Sequence, residues 1–438
     1  MGVAVSRNRT AEALVEDLSQ DGRGVARIQG KTVFVRDALP GERVTYSIRR
    51  RRRSFDEAEL DGIIEASSER VDAGCPHFGV CGGCTLQHLA PGAQLATKRG
   101  TVAENLHRIG GVAPRTWLDP LTGPLWGYRR RARLSVKRVK GKDRTLVGFR
   151  ERDGRFVADI DSCPVLEPAV GERLQSLAGM LDGLDAAGSI PQVEVAVGDN
   201  AAALVFRHMQ PLSAADRERL EAWADGQGIV PWLQPGGPET AAPMRDDAPE
   251  LLYRLPEHDV TVGFLPTDFT QVNATVNRAL VDRAVSLLDP GPADTVLDLF
   301  CGLGNFTLPL ARRAGGVIGV EGDASLLERA RENAARNDIR NASFCAEDLS
   351  MVPEHPQWLG EAPDRVMLDP PRTGARMVLN RFRKRRPRRI VYVSCHPGTL
   401  ARDAGFLVNE LGYDFSACGI ADMFPHTAHV ETIAVFDA

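Results

Sequence analysis

From Val276 onward the chain alternates short apolar runs, at residues 295–300, 317–321, 343–345, 366–369 and 390–394, with stretches long enough for crossover helices. Nothing else in the sequence restricts the fold so tightly. A βαβ series of this kind implies a mostly parallel sheet, and such sheets bind ligands beyond the carboxyl ends of their strands. A further run at 430–436 reads as another strand.

The amino-terminal part follows a different rhythm. Half-buried runs at 14–18, 24–28, 32–35, 44–48 and 59–64 are separated by Asp21-Gly22, Gln29-Gly30 and Leu39-Pro40-Gly41, which reads as a small antiparallel barrel of the OB type. A cysteine segment follows at 75–84, then a helix over 89–109 stopped by Gly110-Gly111 and Pro114. Strands at 131–139, 145–149 and 193–197, a helix near 168–184 and a surface loop at 235–250 fill the middle. The expected division is therefore an RNA-binding barrel over 1–68, a central α+β domain with the four-cysteine site over 69–268 and an α/β domain over 269–438, with about 89–118 packed on the last.

Composition narrows the class. With 43% hydrophobic and 26% charged residues in 438, a wholly disordered chain, a fibre and a membrane bundle are disfavoured. No apolar run reaches the roughly 18 residues of a spanning helix, and Met1 to Thr10 holds no apolar core of signal-peptide length, so a cytoplasmic location is expected. Net charge is −4, but three basic runs stand out: five bases at 49–53, nine at 129–144 and seven at 381–389. Such segregation is what a polyanion-binding face on an acidic body would give.

The loop Asp298-Leu299-Phe300-Cys301-Gly302-Leu303-Gly304-Asn305 lies where the first parallel strand turns into a helix. Its glycines let backbone approach a ligand closely. Thr307 replaces the third glycine of the dinucleotide fingerprint, which argues against NAD. Glu321 ends the next strand, where an acid meets a ribose diol; Asp348 follows the third strand and suits an adenine end; Asp369 ends the fourth. One acid at each successive strand end resembles the class I (Rossmann-like) S-adenosylmethionine-dependent methyltransferases. On the same rim stands Cys395, beside His396, which would favour a thiolate.

Phe269-Thr270-Gln271-Val272-Asn273, the glycine loop, Asp369-Pro370-Pro371-Arg372, Ser394-Cys395 and Asp422-Met423-Phe424-Pro425-His426-Thr427 followed by His429-Val430-Glu431 together resemble the RNA uracil-C5 methyltransferases. Gly22-Arg23-Gly24-Val25-Ala26 makes the leading barrel similar to a TRAM domain. With the cysteine segment, the chain most resembles the branch that acts on 23S rRNA and carries an iron–sulfur cluster in its central domain.

The resemblance implies a mechanism. Uracil C5 is a poor nucleophile, so Cys395 adds to C6, C5 takes the methyl group of S-adenosylmethionine, and Glu431 removes the C5 proton. Gln271, Phe300, Asn305, Glu321, Asp348 and Asp369 match the cofactor-contacting positions. The family usually has Asn where His396 stands. Phe269 can stack on a displaced base or belong to the core. Cys75, Cys81, Cys84 and the distant Cys163 offer four thiolates, and their spacing suits zinc or an iron–sulfur cluster alike; the resemblance favours a 4Fe–4S cluster with a structural role. Cys301, Cys345 and Cys418 have no such grouping. Two other readings remain open at this point: a sister enzyme acting on another rRNA or a tRNA uridine, and a non-catalytic RNA-binding protein with a vestigial methyltransferase fold. No obligate protein partner is expected.

Overall fold

The computed structural model describes residues 11–353, 356–360 and 363–438, and divides into two units. The first comprises Met1–Lys98, Arg150–Phe156 and Phe424–His429, and the second Arg99–Phe149, Val157–Met423 and Val430–Ala438. The reading of residues 1–10 as lacking a leader core falls outside the described residues. Among those described, no helix is long and apolar enough to cross a membrane.

The first unit is built on β1 (Ala11–Leu14), β2 (Asp17–Leu18), β3 (Gly24–Ile28), β4 (Lys31–Arg36), β5 (Arg43–Arg51) and β6 (Phe55–Glu65), hydrogen-bonded in the order β1-β5-β6-β4-β3-β2. Inward residues from five strands, among them Ala13, Ala26, Val33, Val35, Val44, Tyr46 and Ala58, meet in one cluster. One sheet can share a single core this way only by curling around it. The turn between β3 and β4 places Gln29 and Gly30 both at positive φ, 51° and 82°, the primed geometry that matches strand twist. Two details differ from the sequence reading. The run at 14–18 is broken because the amides of Val15 and Glu16 leave the ladder for the carbonyls of Glu42 and Val25. The barrel is also not wholly antiparallel: β5 doubles back on β6, and β6 then runs parallel to β4.

One ion pair ties this unit's end together. Glu42, fully buried, accepts Arg70 Nε at 2.5 Å on one oxygen and Arg70 Nη2 at 2.8 Å on the other, and also takes the amides of Leu39 and Ser67. Burial by itself would raise this carboxyl's pKa, but Arg70 and the amides outweigh it and hold the group below its ordinary value.

The second unit begins within α1 (Pro91–Asn105), whose wide last turn ends at Gly111, φ 63°. Next comes the short β7 (Thr116–Trp117). A six-stranded sheet contains β8 (Arg131–Val139), β9 (Arg144–Gly148), β10 (Gln192–Val197), β11 (Ala202–Arg207), β12 (Ile229–Gln234) and β13 (Ala242–Pro243), ordered β13-β12-β11-β10-β8-β9. Its apolar core takes in α2 (Pro168–Gly171), α3 (Leu174–Asp182) and α4 (Ala214–Gln227), with Leu177, Leu181 and Leu220 among the buried residues. A hairpin of β14 (Leu251–Leu255) and β15 (Val260–Phe264) follows.

The α/β part then runs α5 (Ala274–Leu288), β16 (Thr295–Leu299), α6 (Thr307–Ala311), β17 (Gly316–Glu321), α7 (Ala324–Arg336), β18 (Ala342–Ala346), β19 (Arg365–Leu368), α8 (Arg376–Leu379), β20 (Arg389–Ser394), α9 (Pro397–Gly405), β21 (Asp414–Ala421) and β22 (Glu431–Asp437). Its sheet has the order β18-β17-β16-β19-β20-β22-β21-β7. The first five neighbours are parallel, as the apolar runs require, and their central strands are buried on both faces. β22 enters antiparallel beside β20.

Packing absorbs most of the basic runs. Within 129–144, Arg130 pairs with Asp199, Arg133 with Glu194, Arg138 with Asp182, and Lys142 and Arg144 with Asp159. Within 381–389, Arg383 pairs with Glu410, Arg388 with Asp294 and Arg389 with Asp437, while Arg381, Arg385 and Arg386 donate to carbonyl oxygens. These contacts brace the larger unit, while several of the paired bases, Arg133 and Arg388 among them, keep exposed side chains. The run at 49–53 stays exposed, and Arg50, Arg51 and Arg53 make no ion pair among the described residues.

Replacing Glu42 with Gln leaves Arg70 without its counter-charge and should destabilise the first unit by about 3 kcal/mol. Because this carboxyl's folded pKa is depressed, the wild-type advantage is full at neutral pH and is lost as pH falls through the carboxylate range. Urea unfolding of both proteins at neutral and acid pH checks both statements.

Candidate active site

The acids and the thiol placed at strand ends by sequence all lie in the larger unit, along one rim of the eight-stranded sheet. β16 ends at Leu299, and the chain turns through Phe300 at φ 67°, Gly302 at 52° and Gly304 at 90°. A phenylalanine in the left-handed region is held there against steric cost. The amides of Phe300 and Cys301 both reach the carbonyl of Val320, at 2.9 and 3.1 Å. Glu321 braces the same loop: one oxygen accepts the Gly302 amide at 3.2 Å, and the other accepts those of Gly322 and Asp323.

Asn305 is fixed by two residues that sequence reasoning did not single out. Its carbonyl oxygen accepts Asn277 Nδ2 at 3.0 Å and the Tyr253 hydroxyl at 3.1 Å, and its amide donates back to Asn277. Asn277 stands one turn beyond Asn273, the residue that caps α5, so helical spacing would have shown it; Tyr253, on β14, carries no such signal. Gln271 lines a small cleft together with Tyr253, Asn277 and Arg278. Asp348 is exposed in the loop after β18, where hydrogen bonds from Ser350 hold its carboxyl below the usual range. Phe269 is 70% exposed, so it is not core.

The surroundings of Cys395 follow from strand pairing. Ser394 at the end of β20 is in register with Thr432, so Cys395 and Glu431, each one step toward the rim, leave the sheet side by side. Leu299 pairs with Leu368, which brings Asp369 to the level of the glycine loop. Asp298 is fully buried and bonded to Thr307 Oγ1 at 2.5 Å. Burial pushes its carboxyl up to about 7, with Glu321 adding to the rise. Burial and then Asp298 push Asp369 to about 7 as well. Burial and then Asp369 raise Glu431 far above the carboxylate range.

Cys395 is half-buried, and burial followed by Glu431 and Asp369 pushes its thiol up to about 11. The cation that opposes this rise is Arg372, not His396. The expectation that His396 favours the thiolate is corrected by geometry: its Nδ1 accepts the Thr399 amide at 3.2 Å and caps α9. Capping is a role for which Asn is among the preferred residues, and a histidine ring nitrogen substitutes through its lone pair. α9 in turn grips the loop that carries Asp369 and Arg372. Asp403 accepts the Ala375 amide at 2.8 Å and the Tyr392 hydroxyl at 2.9 Å, and Arg402 donates to the Thr373 carbonyl at 2.9 Å.

Of the cysteines expected to bind metal, Cys75, Cys81 and Cys84 are half-buried thiols in the first unit, and Cys163 is a half-buried thiol in the second. The Gly83 amide points at Cys81 Sγ, 3.4 Å away, a contact that stabilises thiolate. Among the described residues no three His, Cys, Asp or Glu side chains converge as a metal-holding group. The donors suit a thiophilic metal, but they are not drawn together as a ligand set. Cys301 and Cys418 are buried in the core.

A family model described as tRNA (Uracil-5-)-methyltransferase matches residues 252–437, and a TRAM domain model matches 5–60. The chain is 51% identical over 442 residues to the 23S rRNA (uracil(1939)-C(5))-methyltransferase RlmD of Xanthomonas axonopodis pv. citri, covering 99% of this chain and 100% of that one. It is 53% identical over 426 residues to the protein of the same name from Alkalilimnicola ehrlichii, covering 97% and 96%. Among solved structures, the Pyrococcus abyssi tRNA (uracil-54, C5)-methyltransferase in complex with S-adenosyl-L-homocysteine superposes with a TM-score of 0.73 at 25% identity, covering 97% of this chain and 100% of that one.

A thiol at about 11 is almost wholly protonated at neutral pH. Alkylation of Cys395 by iodoacetamide should therefore climb with pH without levelling below about pH 10. Arg372→Gln should slow it further at any given alkaline pH. Peptide mass spectrometry of the labelled site reads both effects, and a plateau near neutrality would contradict them.

Proposed function

We propose a residue-level mechanism for this chain, which belongs to the 23S rRNA (uracil(1939)-C(5))-methyltransferase family and transfers a methyl group from S-adenosylmethionine to C5 of a uridine in 23S rRNA. The reading rests above all on the register that sets Cys395 beside Glu431. By analogy with the named relatives, the target is uridine 1939.

S-adenosylmethionine supplies an electrophilic methyl group on a sulfonium. Everything else falls to the chain. Cys395 loses its thiol proton to water, its sulfur bonds to C6 of a uracil extruded from its stack, and the electrons of the C5–C6 double bond move to C5 and O4. C5 then takes the methyl group. Glu431 removes the remaining C5 proton, the electrons return to the C5–C6 bond, and the Cys395 sulfur leaves as thiolate. Once ionised, a carboxylate that burial makes more basic accepts a carbon-bound proton more readily than an exposed one. Asp369, whose carboxyl retains a proton near neutrality, can donate a hydrogen bond to the uracil edge as negative charge builds on it. Gln271, Phe300, Asn305, Glu321, Asp348 and Asp369 form the cofactor side of the rim. The bracing of Gly302 by Glu321 and of Asn305 by Asn277 and Tyr253 keeps that side preorganised.

The same reading assigns Cys75, Cys81, Cys84 and Cys163 as thiolate ligands of a 4Fe–4S cluster with a structural role. The thiol chemistry of the cysteine segment and the amide aimed at Cys81 support it, although the described thiols do not converge as a ligand set. Iron and acid-labile sulfide in protein purified without air should be stoichiometric, whereas a colourless protein carrying zinc would replace the cluster with a zinc site.

Cys395→Ala should bind S-adenosylmethionine yet form no covalent adduct with 5-fluorouridine-substituted rRNA. Glu431→Gln should form and methylate the adduct but release tritium from [5-³H]uridine rRNA at least about 100-fold more slowly, so that a protein–RNA band accumulates in denaturing gels. Adduct formation by the alanine variant would remove Cys395 from the mechanism.

A further inference from the structure

Asn305 follows β16 in the larger unit, and its carboxamide is paired with that of Asn277: each amide donates to the other's carbonyl oxygen, at 3.0 and 3.1 Å. Such a pair is symmetric. Exchanging oxygen and nitrogen in both side chains keeps both hydrogen bonds, so the pair alone does not decide which atom of Asn305 is left to meet a ligand. Tyr253 decides it. Its hydroxyl lies 3.1 Å from Asn305 Oδ1, and burial raises its pKa far above the ordinary tyrosine value, so the proton stays on the oxygen. Among the described residues that proton has one acceptor, Asn305 Oδ1. With the carboxamide reversed, Tyr253 would have to accept instead, and a desolvated O–H would be left idle, which is costly.

The consequence is a contact that can only donate. Both lone pairs of Asn305 Oδ1 are taken, one by Asn277 and one by Tyr253, and one N–H is spent on Asn277. What is left is the second N–H of Nδ2, which has no partner among the described residues. Such a group repels the ammonium of S-adenosylmethionine and suits its acceptors. Strand order selects among these. The sheet runs β18-β17-β16, so Asp348 and Glu321, suited to adenine and ribose, stand at β18 and β17, and the amino-acid end of the cofactor falls to the loop after β16. Charge agrees. The cleft that Gln271 lines with Tyr253 and Asn277 also has Arg130, Arg254 and Arg278 in its wall. Asp199 answers two of them, pairing with Arg130 and, at 2.8 Å, with Arg278, while the Arg254 side chain makes no ion pair among the described residues.

We propose that Tyr253 is a positioning residue for cofactor binding: its hydroxyl locks the Asn305 carboxamide with the nitrogen outward, so that Asn305 donates to the α-carboxylate of S-adenosylmethionine. The inference rests on the cofactor side of the rim as assigned above, and adds which atom of Asn305 is used and which group of the cofactor it meets. A hydrogen bond to a carboxylate is charge-assisted and stronger than a neutral one. A carboxamide free to turn over would spend part of its time presenting oxygen to that carboxylate, and apparent affinity falls with the fraction of molecules so turned.

The test is calorimetric titration with S-adenosylmethionine and with decarboxylated S-adenosylmethionine, which lacks only the carboxylate, a readout that needs no turnover. The quantity compared is the preference for the first ligand over the second, which a general loosening of the fold does not move. Asn305→Ala, which removes the donor, should lower that preference at least about tenfold. Tyr253→Phe keeps the ring and its packing, as circular dichroism melting verifies, and should lower it about two- to fivefold. An unchanged preference in Asn305→Ala overturns the carboxylate contact. A preference lost in Asn305→Ala but intact in Tyr253→Phe overturns the role of Tyr253. A wild-type protein that binds neither ligand overturns the cofactor side of the rim itself, whereas one that binds both equally well leaves that reading standing and overturns this one.

Discussion

The antiparallel entry of β22 next to β20 is the constraint on which the site depends. In a purely parallel sheet, every neighbour of β20 would bring its carboxyl end to the rim, and a catalytic side chain at a strand's beginning would lie at the opposite edge. Reversing one strand brings the first residue of β22 to the place where β20 finishes, so Glu431 arrives beside Cys395 through the pairing of Ser394 with Thr432. Residues 36 positions apart in the chain thus become neighbours with little freedom to separate.

That placement has an electrostatic consequence. On top of burial, Asp298 raises Asp369 and Asp369 raises Glu431, while burial followed by Glu431 and Asp369 works against ionisation of the Cys395 thiol. The Cys395 thiol is therefore held in its protonated form near neutrality. Arg372 is the cation that lowers the thiol's pKa, and its loop is held by Asp403 and Arg402 from the helix that begins just after Cys395. Cys395 and Arg372 are thus both tied to a single strand–helix junction, with His396 serving as its cap.

Charge elsewhere is divided between architecture and surface. The longer basic runs are satisfied within the larger unit by Asp159, Asp182, Asp199, Asp294 and Glu410. Clusters that look alike in a one-dimensional count therefore do different work, because a count records neither strand direction nor which acids return through other elements.

The sequence by itself determined the parallel sheet, the glycine loop, the acids at the strand ends and the thiol on their rim. Each is written in local pattern: apolar runs of strand length, glycines where φ turns positive, and acids at the residues that follow. It also marked Gln29-Gly30 as a hairpin turn, since only a primed turn suits that pair. What local pattern could not encode was left to tertiary structure: the parallel pairing of β4 with β6, the break at Val15, Asn277 and Tyr253 behind Asn305, and the arrival of Arg150–Phe156 in the first unit. Each of these depends on contacts between distant residues. The role of His396 was decided in the same way, by whether its ring turns toward the thiol or toward an amide three residues on, a choice of rotamer and helix geometry that residue identity leaves open.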